Sequence, residues 1–496
     1  MSIKIDVKTA KIGFWHFPRI FHYLVLMEFC ERFAFYGVQS IAILYFIEKY
    51  SLSEANASSI FSSFSALCYA LLVIGGTIGD KLIGISRAYL IGICLFVIGY
   101  GLLGMANTAN MLYYAMGIII CGNMFFKTNA NNYISRCLEN NDPRLDSAYT
   151  YFYMFINIGS CLSFAIVPFV AKSFGYSIGL YLSCIAMCVS LLLYIIFKNK
   201  FDSVDNQIGK SGKNKLKLSL LCFFGTLCVS YPISLILADS ELSLLLLVGA
   251  AVLFTIIYFL VAFRLPRHEL RGMLIAFILL LQAILFWVLC MQTSTSFVLF
   301  ARHNIDLTIF GFTIPVGSTQ IFNSIHVIAF SPILANLYIL LEKKGIHLNI
   351  PYKFTAGIFI TGCCFLLLGF SSTFFVNSAY QISIIWLFAS YGFYSVGELL
   401  ISALGPSMVA QLLPKRLGGF AQGMWYLTCA VGMRLGGMLS SMEANEYDTS
   451  NPSQSLHVFN QMFYQIGFSI VLISVLLFFI AKPLTRQINQ ALAHRV

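Results

Sequence analysis

The sequence predicts an all-α polytopic membrane protein, and three observations support this class. Hydrophobic residues make up 59% of the 496 residues, charged residues make up only 10%, and the mean hydropathy is +0.82. A water-soluble domain carries about 25% charged residues, so most of this surface must face lipid. Long segments, such as 55–79, 242–263 and 272–301, contain no charged residue. The basic residues lie in short connections between these segments, so the net charge of +11 does not indicate a nucleic-acid partner.

About 20 apolar residues cross a bilayer as a helix. We therefore predict fourteen spans, which begin near residues 21, 55, 86, 109, 145, 176, 217, 241, 270, 317, 353, 379, 416 and 457. Of the 31 basic residues, only Lys49, Lys172 and Arg302 fall in the predicted outer loops, as the positive-inside rule requires. These loops are otherwise acidic or uncharged, and their predicted acidic residues include Asp239, Glu241, Glu443, Glu446 and Asp448. The even number of spans then places both termini in the cytoplasm.

The order of the spans predicts three parts. An N-terminal six-helix bundle covers residues 1–200, and a C-terminal six-helix bundle covers residues 266–496. Between them, residues 201–265 form a lysine-rich cytoplasmic linker and an inserted helix pair with few polar residues. Many transporters are built from two such halves, which rock about a site near the middle of the membrane.

Targeting and cofactor signals are weak. The first apolar run contains charged residues and no small-residue cleavage site, so we expect no cleaved signal peptide. The fourteen cysteines lie almost wholly in the spans, and we interpret them as small apolar residues rather than disulfide partners. No CxxC pair and no His/Cys spacing suits a metal. We therefore expect neither a metal nor another cofactor.

Charged residues inside the spans are the sharpest functional signal. Each costs roughly 2.5–3.5 kcal/mol at the centre of a span, and their charges sum to zero, which indicates pairing. The six are Glu28, Glu31, Arg32, Lys127, Glu398 and Arg434.

Glu28, Glu31 and Arg32 are spaced i, i+3 and i+4, so they share one face of span one, and Tyr36 follows one turn later. Two carboxylates beside an arginine provide a group that can bind and release a proton. The alternative is a structural ion cluster that ties span one to a neighbouring helix.

Three other spans carry polar stripes. Lys127 lies one turn from Asn123 and from Asn131 on span four, and Glu398 on span ten lies on or near the face of Tyr391, Tyr394 and Ser402. Tyr153 and Asn157 are one turn apart on span five. Each stripe has a plainer explanation, a hydrogen bond or ion pair that holds two helices together.

The loop between spans two and three contains a spaced charge motif, Gly76-x3-Asp80-Lys81-x2-Gly84-x2-Arg87. It resembles the cytoplasmic loop motif of the major facilitator superfamily, in which glycines permit a tight turn and charges latch two helices. That resemblance implies a role in conformational gating for Asp80, Lys81 and Arg87.

Several runs together resemble the bacterial type of the proton-dependent oligopeptide transporter family, within the major facilitator superfamily. They extend over residues from about 20 to 480. The segment 28–37 resembles the family's ExxERFxYYG signature, and 152–160 resembles its FYxxINxGS signature. Further similar runs are Asn123 to Lys127, 141–146 (NDPRLD), 397–399 (GEL) and 423–425 (GMW). The inserted helix pair matches the two extra helices of bacterial members.

The resemblance implies roles for individual residues. Arg32 and Lys127 would receive the peptide carboxylate, and Glu398, Asn157 and Asn323 would receive the amino terminus. Tyr36 and Tyr69 would hydrogen-bond the peptide, Trp287 and Trp425 would shape side-chain pockets, and Glu28 and Glu31, coupled to Lys127, would handle protons. Cations at one end and a carboxylate at the other also suit a zwitterionic peptide on physical grounds, because charge-assisted hydrogen bonds replace its lost hydration.

The chain departs from the family pattern at three positions. Phe35 replaces the first tyrosine of the signature, Met291 stands where many members carry a glutamate, and Ser324 replaces a common proline. His326, one turn from Asn323, could titrate in place of the missing glutamate or could be a neutral hydrogen-bonded histidine. For Arg434 the alternatives are snorkelling to the outer interface and a role in an outer gate.

This resemblance implies a monomeric symporter of the bacterial inner membrane that imports di- and tripeptides, and peptide-like drugs, together with protons. Neutralised carboxylates release their cationic partners, and the halves rock because protonation favours one state. One alternative is a transporter of the same fold for another small cargo, an amino-acid derivative or an anion. A multi-span membrane enzyme would need a nucleophile–base pair or a metal cluster, and the sequence contains neither. Charge pairs within the spans disfavour a channel.

Overall fold

The computed structural model describes residues 14–138, 144–205, 213–345 and 348–493. Within these ranges the chain is almost entirely helical, which confirms the all-α class. The helices are α1 (Arg19–Tyr50), α2 (Glu54–Ala70), α3 (Leu72–Ile78), α4 (Ile85–Met105), α5 (Ala109–Cys137), α6 (Leu145–Phe174), α7 (Tyr176–Ile196), α8 (Lys198–Val204), α9 (Lys213–Ala238), α10 (Ser240–Ala262), α11 (Arg267–Ser294), α12 (Ser296–Asn304), α13 (Ile321–Lys343), α14 (Ile350–Phe374), α15 (Ile384–Ile401), α16 (Gly405–Leu412), α17 (Gly418–Ala444) and α18 (Pro452–Ala493).

Twelve helical segments of the described ranges are long and apolar enough to cross a membrane. Helices satisfy their own backbone hydrogen bonds, which is why apolar segments adopt them in lipid. Helix starts agree with the predicted span starts to within about five residues. α1 and α17 lie outside the set of twelve, and both contain buried charged residues. Residues 141–143 of the NDPRLD run and 206–212 of the predicted linker lie outside the described residues.

Three of the predicted spans are interrupted rather than continuous. α2 and α3 are separated at Leu71 and followed by a π-helical turn, Gly79–Ile83. α11 and α12 are separated at Thr295, whose side chain is buried, and α15 and α16 are separated at 402–404. Irregular backbone at membrane depth is tolerated where protein surrounds it.

The chain divides into two compact units. Unit 1 comprises Met1–Ile41 and Leu71–Ala238, and within it α4 packs against α5 and α7, and α9 packs against α5. Close helix approach there depends on small residues: a Cβ on Gly92 would lie 2.7 Å from the Phe126 backbone nitrogen. The Tyr114 hydroxyl also donates to the Leu227 carbonyl at 3.2 Å, which fastens α9 to α5.

Unit 2 comprises Ala42–Ala70 and Asp239–Val496. Within it α2 packs along α17, α14 packs against α15 and α18, and α10 contacts α2, α11 and α17. The two inserted helices thus belong to different units, α9 to unit 1 and α10 to unit 2. The bundle boundaries near residues 200 and 265 stay a prediction.

Four two-residue strands, all in unit 2, supplement the helices. β1 (Ile305–Asp306) pairs in parallel with β4 (Ile382–Ser383), which explains why α15 begins at Ile384 rather than near residue 379. β2 (Thr308–Ile309) and β3 (Phe312–Thr313) form an antiparallel hairpin. Its two turn residues, Phe310 and Gly311, have φ of +48° and +82°, as a tight two-residue turn requires.

Candidate functional site

The charged face of α1 forms a buried ion cluster in unit 1. The Arg32 Nε atom lies 3.2 Å from the Glu28 Oε1 atom and 2.5 Å from the Glu31 Oε2 atom. The three side chains are at most 4% exposed, so their charges are stabilised by one another rather than by water. The Arg32 guanidinium also lies 5.6 Å from the centre of the Phe35 ring. The structure therefore brings together the three residues predicted from their spacing.

Helix α6 approaches α1 closely beside this cluster. A Cβ on Gly159 would lie 2.8 Å from the Phe29 carbonyl oxygen and 3.2 Å from the Arg32 Cβ atom. One turn further on, the Ser163 hydroxyl donates to the Phe33 carbonyl at 2.6 Å. The glycine of the 152–160 signature is thus needed where α6 meets α1.

Lys127 of α5 is half-buried and interacts electrostatically with both Glu28 and Glu31. Asn123, one turn earlier, is buried. The structure therefore gathers two acids and two bases in unit 1, with a net charge of zero. An added proton would leave one cation of this cluster without its counter-ion.

Tyr36 and Asn157 complete the predicted residues of unit 1. The Tyr36 ring packs against Phe164 with 5.4 Å between ring centres. The Asn157 Nδ2 atom donates to the Tyr153 carbonyl at 2.9 Å, within α6. Asn157 belongs to unit 1, whereas Asn323 and Glu398, assigned the same role by resemblance, belong to unit 2.

In unit 2, Glu398 is held by a short polar relay. The Asn323 Nδ2 atom donates to the Glu398 Oε2 atom at 3.0 Å, and the Ser395 hydroxyl donates to the Asn323 Oδ1 atom at 2.7 Å. This relay turns the NH₂ group of Asn323, which lies on α13, toward the Glu398 carboxylate on α15. Sequence reasoning identified Asn323 and Glu398 but missed Ser395, which lies one turn from Glu398 on the same helix.

Three aromatic residues adjoin one another in unit 2. The ring centres of Tyr69 and Trp287 are 5.8 Å apart, and those of Trp287 and Trp425 are 6.4 Å apart. The Trp287 Nε1 atom is buried with no hydrogen-bond partner among the described residues. A buried indole N–H usually finds a partner, so this one is available to a ligand carbonyl.

Met291 and His326 are both buried. Met291 is 3% exposed. The His326 Nδ1 atom donates to the Phe322 carbonyl at 2.7 Å, and its ring contacts Phe330 and Phe388, with 5.5 Å and 4.3 Å between ring centres. The Nδ1–H bond leaves Nε2 as the acceptor of a neutral imidazole.

The charge motif of the loop between α3 and α4 is anchored in unit 1. The Asp80 Oδ1 atom accepts from Arg136 Nη2 at 3.2 Å and from Asn132 Nδ2 at 3.3 Å. Gly84 has a φ of +93°, and a Cβ there would lie 2.6 Å from the Asp205 carboxylate, which caps the Ser86 N–H at 3.0 Å. Lys81 is exposed and Arg87 is half-buried.

Arg136 and Asp205, which latch this loop, were missed by sequence reasoning. Arg136 also lies 3.6 Å from Asp205, so it links the loop to the end of α8. The only signal in the sequence is that both sit in predicted cytoplasmic connections. Neither spacing nor composition identifies them as partners of Asp80.

A second group that the sequence did not reveal lies in unit 2, where α2 begins. The Glu54 carboxylate accepts from the Tyr447 hydroxyl at 2.6 Å and lies 2.8 Å from His303 Nε2. Burial and the Glu54 charge raise the pKa of the Tyr447 phenol, so it remains a donor. We refer to Glu54, His303 and Tyr447 as the α2 latch.

Glu443 requires a correction. Its charge suggested an outer loop, but the residue lies in the last turn of α17 and is 7% exposed. The Ser296 hydroxyl donates to its Oε2 atom at 2.9 Å. A hydrogen-bond partner from α12 lets the helix continue through a charged residue, so the charge does not mark the loop.

Arg434 donates from Nη2 to the Ser240 carbonyl at 2.7 Å and is 4% exposed. Its guanidinium therefore reaches the first residue of α10.

Among the described residues, no group of three or more His, Cys, Asp or Glu side chains could hold a metal ion.

Comparisons with known proteins agree on one family. The PTR2 profile of the POT family matches residues 86–456. The chain is 35% identical over 483 residues to dipeptide and tripeptide permease B of Photorhabdus asymbiotica, covering 97% of this chain and 99% of that protein. It is 37% identical over 488 residues to dipeptide and tripeptide permease A of Cronobacter turicensis, covering 98% and 97%. A solved structure from work on substrate recognition in proton dependent oligopeptide transporters matches with a TM-score of 0.82 at 28% identity, covering 94% and 99%.

Proposed function

This chain belongs to the POT family, and we propose that it is a proton-coupled symporter that imports di- and tripeptides by alternating access. It is a multi-pass transporter of the bacterial inner membrane and not an enzyme. We propose that α1 and α17 complete a set of fourteen spans, with both termini in the cytoplasm and the protein monomeric. The observation that carries the proposal is the pair of buried charged groups, one in each unit, whose chemistry complements the two ends of a peptide.

We propose that the unit 1 cluster binds the peptide carboxylate. Arg32 is held by two carboxylates, and Lys127 interacts with the same pair. Protonation of Glu28 or Glu31 removes one of the charges that hold Arg32. A peptide carboxylate then becomes the best remaining counter-ion, and a bidentate guanidinium–carboxylate pair is among the strongest charge-assisted contacts. Proton binding and peptide binding thereby favour each other.

We propose that the unit 2 relay offers a carboxylate to the peptide amino terminus. Glu398 accepts from Asn323 through one oxygen, and its other oxygen can accept from an ammonium group. Ser395 keeps the Asn323 side-chain oxygen occupied, so the amide presents its donors to Glu398. We propose that the peptide amino terminus binds Glu398, with Asn323 and Asn157 as further contacts.

We propose that the aromatic residues limit the space available to peptide side chains. Trp287 and Trp425 are both buried, and Trp287 has a free indole N–H among the described contacts. We propose that this N–H binds a peptide carbonyl and that Tyr36 and Tyr69 bind the peptide backbone. Asp80, Lys81 and Arg87 act in gating, through the contacts that Asp80 makes with Arg136 and Asn132.

The test is uptake of labelled dialanine into proteoliposomes that contain the purified protein, with and without an imposed inward proton gradient. We expect accumulation that needs the gradient and that other dipeptides, but not free alanine, compete away. Glu28→Gln should abolish accumulation yet retain exchange of internal for external peptide, because exchange needs no net proton movement. Glu398→Gln should weaken both by about tenfold, the loss of one charge-assisted hydrogen bond.

Glu446→Gln is the matched control, because it neutralises an exposed glutamate outside the site and should leave uptake unchanged. Size-exclusion and melting profiles establish that each variant is folded. Uptake by folded wild-type protein that ignores the gradient would refute proton coupling. A folded protein that takes up no peptide at all would refute the peptide cargo and favour an amino-acid derivative or an anion.

A further inference from the structure

A groove between α10 and α17 opens on the lipid-facing side of unit 2. Its cavity volume is about 310 Å³. α10 is the least buried candidate span, with 11% of its apolar segment inside the protein, so the groove adjoins hydrocarbon. Its lining is aliphatic except for one arginine and one threonine, and includes Leu244, Val248, Ile256, Val431, Arg434 and Leu435.

Arg434 is the chemical anomaly of this α10–α17 groove. One guanidinium nitrogen donates to the Ser240 carbonyl, but the Nε atom is buried with no hydrogen-bond partner among the described residues. No carboxylate of the described residues lies within ion-pair distance of it. A cation within a membrane span that has no counter-ion is costly, and an anionic ligand in the groove would supply the missing partner.

The α10 wall of the groove has the length of one lipid leaflet. From Leu244 to Ile256 it follows α10 for about 18 Å at the rise of an α-helix. That distance is about one leaflet of a hydrocarbon core roughly 30 Å thick. Because Arg434 bonds the first residue of α10, the charged end of the groove coincides with the membrane interface at which α10 begins.

We propose that the α10–α17 groove is a binding site for an anionic phospholipid, which places its phosphate on Arg434 and one acyl chain along Leu244–Ile256. The charge distribution of the loops puts this end of α10 at the outer face, so the lipid comes from the outer leaflet. The charge complementarity between the guanidinium and a phosphate selects an anionic lipid over a zwitterionic one. α10 is one of the two inserted helices, and the site gives it a role beyond packing.

Native mass spectrometry of the full-length protein in a mild detergent tests the site. Phosphatidylglycerol and phosphatidylcholine with identical chains are titrated separately. We expect a retained phosphatidylglycerol that phosphatidylcholine does not replace. Arg434→Gln should weaken its binding about tenfold, as expected for one charge-assisted hydrogen bond, whereas Lys172→Gln, which removes a charge on the same predicted side, should not.

A second pair of variants tests the groove without touching the arginine. Ala251 lines the groove, so Ala251→Phe should fill it and release the lipid. Gly249→Phe adds comparable bulk to α10 outside the groove, at a position where a Cβ meets no atom within 4 Å, and should have no effect. Equal binding of both lipids, or unchanged phosphatidylglycerol binding in both Arg434→Gln and Ala251→Phe, would overturn the proposal. A dimer that Ala251→Phe dissociates would also overturn it, because a second copy would then occupy the groove.

Discussion

At the residue scale, the candidate site depends on polar side chains that are buried next to one another. Arg32 lies within ion-pair distance of Glu28 and Glu31 on its own helix, and Asn323 bonds both Ser395 and Glu398 on an adjacent helix. Removing one partner of a buried pair leaves an uncompensated charge or donor, which costs more than the pair contributes. Substitutions here that change the shape of the side chain should therefore affect folding as well as transport.

Gly405 shows how a residue without a side chain shapes the site. A Cβ at this first residue of α16 would lie 1.9 Å from the Trp425 ring. Gly405→Ala should therefore displace the indole, lower stability by about 1–3 kcal/mol through overpacking, and change which dipeptides compete with dialanine. Tryptophan fluorescence and competition uptake measure the two effects.

Gly418→Ala is the matched control, since a Cβ there meets no atom within 4 Å. It should leave both the fluorescence spectrum and the competition order as in the wild type. If Gly405→Ala behaves like Gly418→Ala, the contact between Gly405 and Trp425 does not position the indole.

At the element scale, the first turn of α2 is held in place by a buried carboxylate and its two partners. The α2 latch attaches its start to the end of α12 through His303 and to the segment after α17 through Tyr447. Further along, a Cβ on Gly437 would lie 1.9 Å from Ser62, so α2 and α17 are in close backbone contact. Movement of α2 away from α17 therefore has to break the latch first.

Glu54→Gln should loosen the beginning of α2. The substitution removes the charge that accepts from Tyr447 at 2.6 Å and pairs with His303 at 2.8 Å, in a site where Glu54 is 4% exposed. We expect hydrogen exchange of the backbone amides near residues 54–60 to accelerate by roughly tenfold, from the loss of one charged hydrogen bond. Hydrogen-exchange mass spectrometry measures this.

The control is Glu48→Gln, because Glu48 lies 3.7 Å from Arg302 in a pair that is partly exposed. Such pairs contribute about 0–1 kcal/mol, so exchange in α2 should barely change. Equal protection in the Glu54→Gln variant and the wild type would show that the latch does not hold the helix.

At the scale of the whole molecule, the alternation of charge along the chain predicts which ends of the helices face the cytoplasm. Ser203 on α8 belongs to a basic connection, and Ser450 to the acidic connection between α17 and α18. A membrane-impermeant maleimide should therefore label Ser450→Cys in intact cells and label Ser203→Cys only after permeabilisation. Labelling in the reverse pattern would invert the predicted topology.

The wild-type protein is the reference for that measurement. Its fourteen cysteines are free, and thirteen of them are buried or half-buried, whereas Cys228 is exposed on α9. The wild type should therefore label weakly from outside. Strong external labelling of the wild type would require these cysteines to be replaced before the topology is read.

The sequence by itself determined the class, the positions of the helices, the charged residues of the spans and the family. Each of these depends on local properties: apolar length, residue spacing along one helix, and short signatures. Glu28, Glu31 and Arg32 were predictable as a cluster because their spacing puts them on one face of α1. The outline of the candidate site followed from the same reasoning.

Only the tertiary structure decided which distant residues became partners. Arg136 with Asp80, Glu54 with His303 and Tyr447, and Arg434 with Ser240 are separated by 56 to 393 residues. Such pairs depend on the packing and rotation of whole helices, and no local pattern encodes them. The same reason explains Glu443, whose charge suggested a loop until α12 supplied its hydrogen-bond partner.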